Sequence, residues 1–274
     1  GAFEGVRAYE TADGPAIFKL EKHTERLFNS ARILGMGIPF DADTLNQAQR
    51  EVVTKNNLNS AYIRPMCFYG SEGMGLRADN LKVHVMIAAW EWGSYLGEDN
   101  MKNGIRIRTS SYIRHFAHPS LSGAKMNGNY INSMMALKEA QDHGFDEALM
   151  LDVEGFVSEG SGENIFVIKD EVIYTPHLTS ALPGITRDTI FTLAKSLGYK
   201  IVEKKISCDD IYSADEAFFT GTAAEVTPIR DLDGNQIGIG SRGLITEKLQ
   251  SLYFDCVHGR NDEYLHWIES GRCS

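Results

Sequence analysis

Short β-prone runs joined by tight turns recur along this chain, and they limit its possible folds more than any other feature. Alternating residues from Val6 to Leu20 flank the Asp13-Gly14 step, which predicts a β-hairpin. Similar turns at Glu154-Gly155 and Asp170-Glu171 separate short strands further along the chain. Because hairpins outnumber strand-helix-strand crossovers, the sequence predicts an α+β protein with largely antiparallel sheets rather than a doubly wound parallel sheet.

Amphipathic segments between the strands predict helices with recognisable ends. Leu27, Ala31 and Leu34 repeat at i, i+4 and i+7, and Gly35 follows as a left-handed stop. Thr186 is placed to cap a later helix. Further helices are predicted over 43–56, 129–143 and 244–257. Further strands are predicted over 61–69, 81–92 and 105–114.

A stretch without periodicity indicates where two domains meet. At 274 residues, the chain can form one large domain or two modest ones. Between 93 and 104 the sequence turns to Gly, Ser, Asp, Asn and Lys, a composition typical of an interdomain connection. We therefore predict a smaller N-terminal domain over 1–98, a loop over 99–104 and a larger C-terminal domain over 105–274. The chain starts in strand-like sequence without Met, so we expect residues upstream of it in the full protein.

The composition is typical of a globular protein and narrows the possible partners. Hydrophobic residues make up 43% of the chain and charged residues 23%. With 27 Lys and Arg against 37 Asp and Glu, the net charge of -10 repels polyanions, so we predict no nucleic-acid or membrane partner. No apolar run reaches the roughly 18 residues of a membrane span. The four cysteines form no C-x-x-C pair, which is typical of reduced thiols and predicts a cytoplasmic location.

Two familiar binding motifs are absent or out of context. Gly238 to Gly243 fits G-x-G-x-x-G, but it follows a hairpin turn and no later strand completes a βαβ unit, so we predict no dinucleotide site. The eight histidines include no H-E-x-x-H, and His115 and His118 lack nearby carboxylates. We therefore predict no metal site.

Four other segments carry residues suited to one cofactor. Lys125 lies among small residues that permit close approach of a flat ligand, and a desolvated lysine amine suits Schiff-base chemistry. Glu159 lies in a segment dense in carboxylates, hydroxyls and glycines. The turns at 184–188 and 220–224 can present N–H groups to a phosphate or carboxylate. Each alone is more often a solvated lysine, a charged loop or an ordinary turn, but together they meet the needs of pyridoxal phosphate.

The order of motifs along the chain carries a family resemblance. The motifs are Phe3-Glu4-Gly5-x-Arg7-x-Tyr9, Arg26-Leu27, Tyr62-x-Arg64-Pro65, Ala124-Lys125, Glu159-Gly160-Ser161-Gly162-Glu163-Asn164, Gly184-Ile185-Thr186-Arg187 and Gly221-Thr222-Ala223-Ala224-Glu225-Val226-Thr227-Pro228. Over essentially its whole length, the chain resembles branched-chain amino-acid aminotransferases of the bacterial type, which are fold type IV pyridoxal-phosphate enzymes. The resemblance implies a smaller N-terminal α/β domain and a larger, barrel-like C-terminal domain that binds the cofactor.

The resemblance implies a role for each cofactor residue. Lys125 forms the Schiff base with pyridoxal 5'-phosphate and, once released, moves the proton between the substrate Cα and the cofactor. Glu159 lies beside the pyridine nitrogen and keeps it protonated, while Tyr130 hydrogen-bonds the phenolic oxygen. The implied phosphate ligands are Arg26, Ile185, Thr186 and Thr222.

The same resemblance implies a substrate pocket with apolar walls and a cation at its rim. Arg64 and the Tyr95 hydroxyl would meet the γ-carboxylate of glutamate or 2-oxoglutarate, and the N–H groups of Thr222 and Ala223 would hold the α-carboxylate. Taken singly, each aromatic residue is more often part of an ordinary core. The implied pocket residues are Phe3, Tyr62, Trp92, Tyr95 and Tyr130, together with Arg64.

The implied activity is transamination between L-leucine, L-isoleucine or L-valine and 2-oxoglutarate, which gives branched-chain 2-oxo acids and L-glutamate. A D-amino-acid transaminase and an aminodeoxychorismate-type lyase of the same fold are alternatives, and a third is a protein that binds the cofactor without turnover. The Tyr62-x-Arg64 pair argues against the first, since D-specific relatives carry Arg-x-His there. Intact Lys125 and Glu159 argue against the third. The resemblance also implies a homodimer or a trimer of dimers.

Overall fold

The chain folds into two compact units in a computed structural model, which describes residues 1–93, 96–115 and 123–273. The first unit comprises Gly1–Trp92, Ala124–Gly128 and Asp255–Ser274, and the second comprises Gly93–Gly123 and Asn129–Phe254. Tyr95 and His118, which were singled out in the sequence, lie outside the described residues.

Two later segments of the chain belong to the first unit, so the division differs from the two continuous domains that the sequence predicted. Met126 forms a β-bridge with Ala2. The Cys273 N–H donates to the Pro15 carbonyl at 2.9 Å. Both contacts join residues far apart in sequence, and such pairings leave no periodic signal in the sequence itself.

The first unit is built on an antiparallel sheet of five strands within its described residues: β1 (Ala2–Phe3), β2 (Val6–Thr11), β3 (Gly14–Ile17), β4 (Ala61–Tyr69) and β5 (Val83–Trp90). The predicted hairpin at Asp13-Gly14 is confirmed, because β2 and β3 pair with Thr11 opposite Gly14. β4 pairs with β5 along its whole length and with both β1 and β2. The two predicted strands at 61–69 and 81–92 are therefore direct neighbours.

Two helices of the first unit, α1 (Leu20–Ile33) and α2 (Ala42–Lys55), confirm the amphipathic patterns read from the sequence. α1 buries Leu27 and Ala31 in an apolar cluster, but it also buries the polar residues His23, Thr24 and Ser30. Buried polar side chains require hydrogen-bond partners, so this helix face makes polar contacts as well as apolar ones.

The second unit contains a larger mixed sheet. Its described strands are β6 (Ile105–Thr109), β7 (Glu147–Leu151), β8 (Val157–Gly160), β9 (Asn164–Lys169), β10 (Val172–Thr175), β11 (Ile201–Glu203), β12 (Glu216–Gly221), β13 (Glu225–Leu232) and β14 (Asn235–Gln236). They follow the order β11-β10-β9-β12-β13-β6-β7-β8, with β14 beside β13. The pairs β10–β11, β6–β13 and β6–β7 are parallel and the other described pairs are antiparallel, which confirms the predicted class.

β6 is shorter than the predicted strand at 105–114, because it ends at Thr109. The Glu139 carboxylate accepts hydrogen bonds from the Ser110 hydroxyl at 2.6 Å and from the Ser111 N–H at 2.9 Å. The Ser110 N–H still donates to the Leu149 carbonyl on β7 at 2.9 Å, and the Glu139 bonds hold the chain just beyond the end of β6.

The remaining α-helices among the described residues are α3 (Glu98–Asn103), α4 (Tyr130–Asp142), α5 (Ile185–Ser196), α6 (Cys208–Tyr212), α7 (Leu244–Val257) and α8 (His266–Glu269). The helices predicted at 129–143 and 244–257 are therefore confirmed. No helix in the described part of the chain combines the length and apolar character that crossing a membrane requires.

The predicted interdomain loop, 99–104, lies mostly within α3. Gly97 and Gly104 flank this helix with φ of 88° and 79°, values that glycine adopts without the steric penalty other residues meet. The two glycines therefore begin and end a helix in a segment whose composition indicated a loop.

Candidate active site

Lys125 is held from both sides by backbone hydrogen bonds in the first unit. The Phe3 N–H donates to the Lys125 carbonyl at 3.1 Å, and the Lys125 N–H donates to the Ser30 hydroxyl on α1 at 2.9 Å. The Lys125 Nζ lies 4.9 Å from the centroid of the Phe3 ring. The amine is thus placed against an aromatic face by a backbone that is bonded to both a strand and a helix.

The substrate residues predicted in the first unit also lie together. The Arg64 guanidinium lies 4.6 Å from the Phe3 ring centroid and donates from Nη2 to the Tyr62 hydroxyl at 2.9 Å. Trp92 packs edge-on against Tyr62 with the ring centroids 4.4 Å apart. The buried Arg64 Nε has no hydrogen-bond partner among the described residues, so this guanidinium retains capacity for an anionic ligand.

Arg26, the predicted phosphate ligand, is bound by Glu4. The Arg26 Nε and Nη2 donate to the two carboxylate oxygens at 2.6 and 2.9 Å, and the His23 Nδ1 lies 2.8 Å from Oε2. Burial alone would raise the pKa of Glu4, but the Arg26 guanidinium and the His23 hydrogen bond outweigh it and lower the pKa to about 2. Glu4 is therefore an ionised carboxylate in a fully buried position.

Glu159, on β8 of the second unit, is another buried carboxylate with several donors. The Arg114 Nη2 lies 2.7 Å from its Oε1, and the Leu182 N–H donates to its Oε2 at 3.1 Å. Arg114 also donates to the Ser133 hydroxyl on α4, the helix that begins at Tyr130. One arginine thus connects Glu159 to the helix that carries another predicted cofactor residue.

The predicted anion-binding segment at 184–188 forms the start of α5, but the prediction that Thr186 caps this helix was wrong. Gly184 is the N-cap residue, no side chain caps the helix, and Thr186 is buried in its first turn. A Cβ at position 184 would collide with the Asn164 amide oxygen, so the close approach of Asn164 requires glycine there. The N-cap residue therefore offers no side-chain acceptor to the first-turn N–H groups, which suits a helix end that binds an anion.

Asn164 brings the predicted segments of the second unit together. Its side-chain amide donates to the Glu159 Oε2 at 3.3 Å and to the Leu182 carbonyl at 3.0 Å, two residues before Gly184. Its backbone pairs with Thr220, which leads into the half-buried turn that carries Thr222 and Ala223. The Glu159 carboxylate, the start of α5 and the turn predicted to bind an anion are thus neighbours in one unit.

Four residues with evident roles in these arrangements were not assigned one from the sequence. Glu4 and Asn164 lie inside motifs that the sequence analysis quoted, so their position was visible but their partners were not. His23 and Arg114 gave no signal, because a buried histidine on a helix and an arginine after a strand are ordinary features.

Known proteins share the sequence of this chain over most of its length. A family model described as amino-transferase class IV matches residues 1–232. The chain belongs to the class IV aminotransferases. The branched-chain-amino-acid aminotransferase of Pseudomonas aeruginosa is 62% identical over 97% of this chain and 87% of that protein. The enzyme of the same name from Escherichia coli K12 is 44% identical with the same coverage.

Solved structures of class IV aminotransferases agree with the fold. The T.th. branched-chain amino acid aminotransferase with pyridoxamine 5'-phosphate has a TM-score of 0.94 at 48% identity, covering 97% of this chain and 88% of that one. The same enzyme complexed with N-(5'-phosphopyridoxyl)-L-glutamate has a TM-score of 0.93 at 47% identity and the same coverage. The predicted fold type IV architecture is confirmed.

A third buried carboxyl group, that of Glu147, lies in the second unit. Glu147, the first residue of β7, is fully buried, and its Oε1 accepts a hydrogen bond from the Ala148 N–H at 2.6 Å. Burial raises the pKa of Glu147 to about 7, although hydrogen bonds from Ala148 and Ser161 oppose this. Ser161 follows the strand that carries Glu159.

The raised pKa of Glu147 predicts a stability that depends on pH. Since its ordinary pKa is 4.5 and its folded pKa about 7, the folded class IV aminotransferase holds a proton that the unfolded chain releases between these values. The free energy of unfolding should fall as pH rises through this window. In Glu147→Gln, urea unfolding at pH 5.5 and pH 8 should give more similar free energies than in the parent. The exposed Glu10→Gln is the control, and an unchanged pH dependence in E147Q would contradict the assignment.

Removal of Arg114 should destabilise the second unit strongly. Arg114→Ala leaves the buried Glu159 carboxylate without its cation, which typically costs about 3–5 kcal/mol of unfolding free energy. Urea unfolding of the cofactor-free protein measures this loss. Arg77→Ala, which breaks the exposed pair with Asp79, should leave the unfolding midpoint unchanged. Similar midpoints for the two variants would show that the Glu159 pair is not structurally important.

Proposed function

We propose that this class IV aminotransferase transfers the amino group between branched-chain L-amino acids and 2-oxoglutarate, with pyridoxal 5'-phosphate as cofactor. The products are branched-chain 2-oxo acids and L-glutamate. The observation that carries the proposal is the placement of the Lys125 amine and the Arg64 guanidinium on one aromatic ring, that of Phe3. The 62% identity to a branched-chain-amino-acid aminotransferase over nearly the whole chain supports it.

The residues present fit pyridoxal phosphate. The uncapped N-terminus of α5 offers backbone N–H groups and the buried Thr186 hydroxyl, a donor set suited to a phosphate group. When bound, the cofactor supplies an electron sink that stabilises negative charge at the substrate Cα. We assign the phosphate to Arg26, Ile185, Thr186 and Thr222, the phenolic oxygen to Tyr130 and the pyridine nitrogen to Glu159.

Two residues of this chain control protons in the proposed reaction: one transfers a proton and the other holds one in place. Lys125 binds the cofactor, and its Nζ moves the proton between the substrate Cα and the C4' atom of the cofactor. Glu159 holds a proton on the pyridine nitrogen. Its hydrogen bonds from Arg114, Asn164 and Leu182 favour the ionised carboxylate that this role requires.

Substrate recognition divides between apolar walls and two sets of donors. Leucine-like side chains would pack on the aromatic rings, while Arg64 would bind the γ-carboxylate of glutamate or 2-oxoglutarate. The N–H groups of Thr222 and Ala223 would hold the α-carboxylate shared by all substrates. The proposed walls are Phe3, Tyr62, Trp92, Tyr95 and Tyr130.

We also propose that the enzyme works in the cytoplasm as a homodimer or a trimer of dimers. The cysteines Cys67, Cys208, Cys256 and Cys273 are free thiols, which supports a reducing compartment. α4 exposes Ile131, Met134 and Met135 by 66, 68 and 45% at helical spacing. An exposed apolar stripe of this kind supports association with another copy.

Absorbance spectroscopy tests the reaction directly. The protein supplied with pyridoxal 5'-phosphate should show a visible band that L-leucine bleaches and 2-oxoglutarate restores. Lys125→Ala should lose both changes and all turnover, because the variant lacks the amine that binds the cofactor and moves the proton. Lys138→Ala, an exposed lysine on α4, should retain them. A band that responds to D-alanine and not to L-leucine would overturn the proposed substrate class.

Substitution of Arg64 tests how one pocket accepts both substrates. Arg64→Gln keeps a donor near Tyr62 but removes the charge, so kcat/KM for 2-oxoglutarate should fall about 30-fold or more. The value for L-leucine should change less than about threefold, because leucine has no second carboxylate. Arg77→Gln serves as the exposed control in the same unit. Equal losses for both substrates would contradict a role for Arg64 in recognising the γ-carboxylate.

A further inference from the structure

We infer that Glu4 and His23 are positioning residues. Glu4 orients the Arg26 guanidinium toward the cofactor phosphate and fixes its position relative to Lys125. His23 holds the Glu4 carboxylate in place. The inference rests on the proposed function, in which Arg26 binds that phosphate. All of the contacts that support it lie within the first unit.

The carboxylate of Glu4 determines how the Arg26 side chain is oriented. Both oxygens accept bonds from Arg26, from Nε at 2.6 Å and from Nη2 at 2.9 Å. Two parallel bonds to a planar guanidinium fix its plane as well as its position, which one bond or a point charge does not. The side chain of Arg26 is 12% exposed and that of Glu4 is fully buried, so solvent does not compete for these bonds.

The backbone of Glu4 connects this orientation to Lys125. The Glu4 N–H donates to the Pro65 carbonyl on β4 at 2.8 Å, and the preceding N–H, that of Phe3, donates to the Lys125 carbonyl at 3.1 Å. Glu4 thus follows directly the strand residue that is bonded to Lys125. Because the Glu4 backbone is fixed in this way, its side chain also fixes the position of the Arg26 guanidinium.

One face of α1 carries the side chains that bind Glu4 and the Lys125 backbone. His23, Arg26 and Ser30 are spaced at i, i+3 and i+7, which places them on one side of the helix. His23 and Arg26 bind Glu4, and Ser30 accepts the hydrogen bond of the Lys125 N–H. The helix is therefore tied both to the carboxylate and to the backbone of the catalytic lysine.

The charge states of Glu4 and His23 allow an experiment to separate a positioning role of Glu4 from a purely electrostatic effect of its charge. The pKa of about 2 keeps Glu4 ionised at any working pH, and burial lowers the pKa of His23 from 6.5, which favours its neutral form. Loss of the Glu4 charge beside Arg26 would by itself strengthen attraction of a phosphate. A positioning role has the opposite consequence, since a misoriented guanidinium binds phosphate less well. The direction of the change therefore distinguishes the two effects.

The first experiment compares two probes on the cofactor-free protein by fluorescence titration: pyridoxal 5'-phosphate, and pyridoxal, which lacks the phosphate. In Glu4→Gln we expect the Kd of the phosphorylated probe to rise about tenfold or more, while that of pyridoxal changes less than about twofold. A tighter or unchanged Kd for pyridoxal 5'-phosphate would overturn the inference. Equal weakening for both probes would also overturn it, because it would indicate a general loss of structure.

Substitutions of His23 provide a second test that does not depend on the folding of E4Q. His23→Asn keeps a side-chain N–H near the position of Nδ1, whereas His23→Leu removes the donor, and neither changes the charge of a neutral histidine. We expect His23→Leu to raise the Kd of pyridoxal 5'-phosphate about threefold to tenfold and His23→Asn to restore it. Equal values for the two variants would show that the hydrogen bond to Glu4 has no positioning role.

The parent protein separates failure of this inference from failure of the proposed function. If the parent binds pyridoxal 5'-phosphate no better than pyridoxal, Arg26 does not hold a phosphate and the proposed cofactor site is wrong. If the parent prefers the phosphorylated probe and the Glu4 and His23 variants keep that preference, the site stands and only the positioning roles are wrong.

Discussion

Buried carboxylates paired with arginines are the interactions on which both parts of this aminotransferase depend. Removing a carboxylate from water costs several kcal/mol unless a cation and further donors compensate. Glu4 meets this condition with Arg26 and His23, and Glu159 meets it with Arg114 and the donors around it. Each pair therefore imposes a specific geometry, because the charge is tolerated only while all of its partners stay in place.

The geometry that each pair imposes has consequences for function. Around Glu4, a strand residue, a helix face and the segment of Lys125 are held by bonds between 2.6 and 3.1 Å. Around Glu159, Asn164 adds contacts to Leu182 and a backbone pairing with Thr220. The residues that we propose to meet the cofactor are thus held by several hydrogen bonds, which lowers the reorganisation needed when ligands bind.

Local signals were sufficient for most of the secondary structure in the described part of the chain. The hairpin at Asp13-Gly14 and the helices α1, α2, α4 and α7 follow from turn residues and periodicity, which act over a few neighbouring positions. Where a distant residue intervened, the local signal failed. The strand predicted to reach 114 ends at Thr109, after which Glu139 accepts hydrogen bonds from Ser110 and Ser111. The N-cap of α5 is Gly184, which lies close to Asn164, and not Thr186.

The sequence by itself determined the α+β class, the family and the candidates Lys125, Glu159, Arg26 and Arg64, because composition, spacing and motif order are properties of the chain alone. Only the tertiary structure decided the partners of these residues. Glu4 and Arg26 are separated by 22 positions, and nothing in their local sequence indicates that they bind each other. The same holds for Arg114 with Glu159. Such pairs form because folding removes both groups from water together, and that event depends on the whole arrangement of strands and helices.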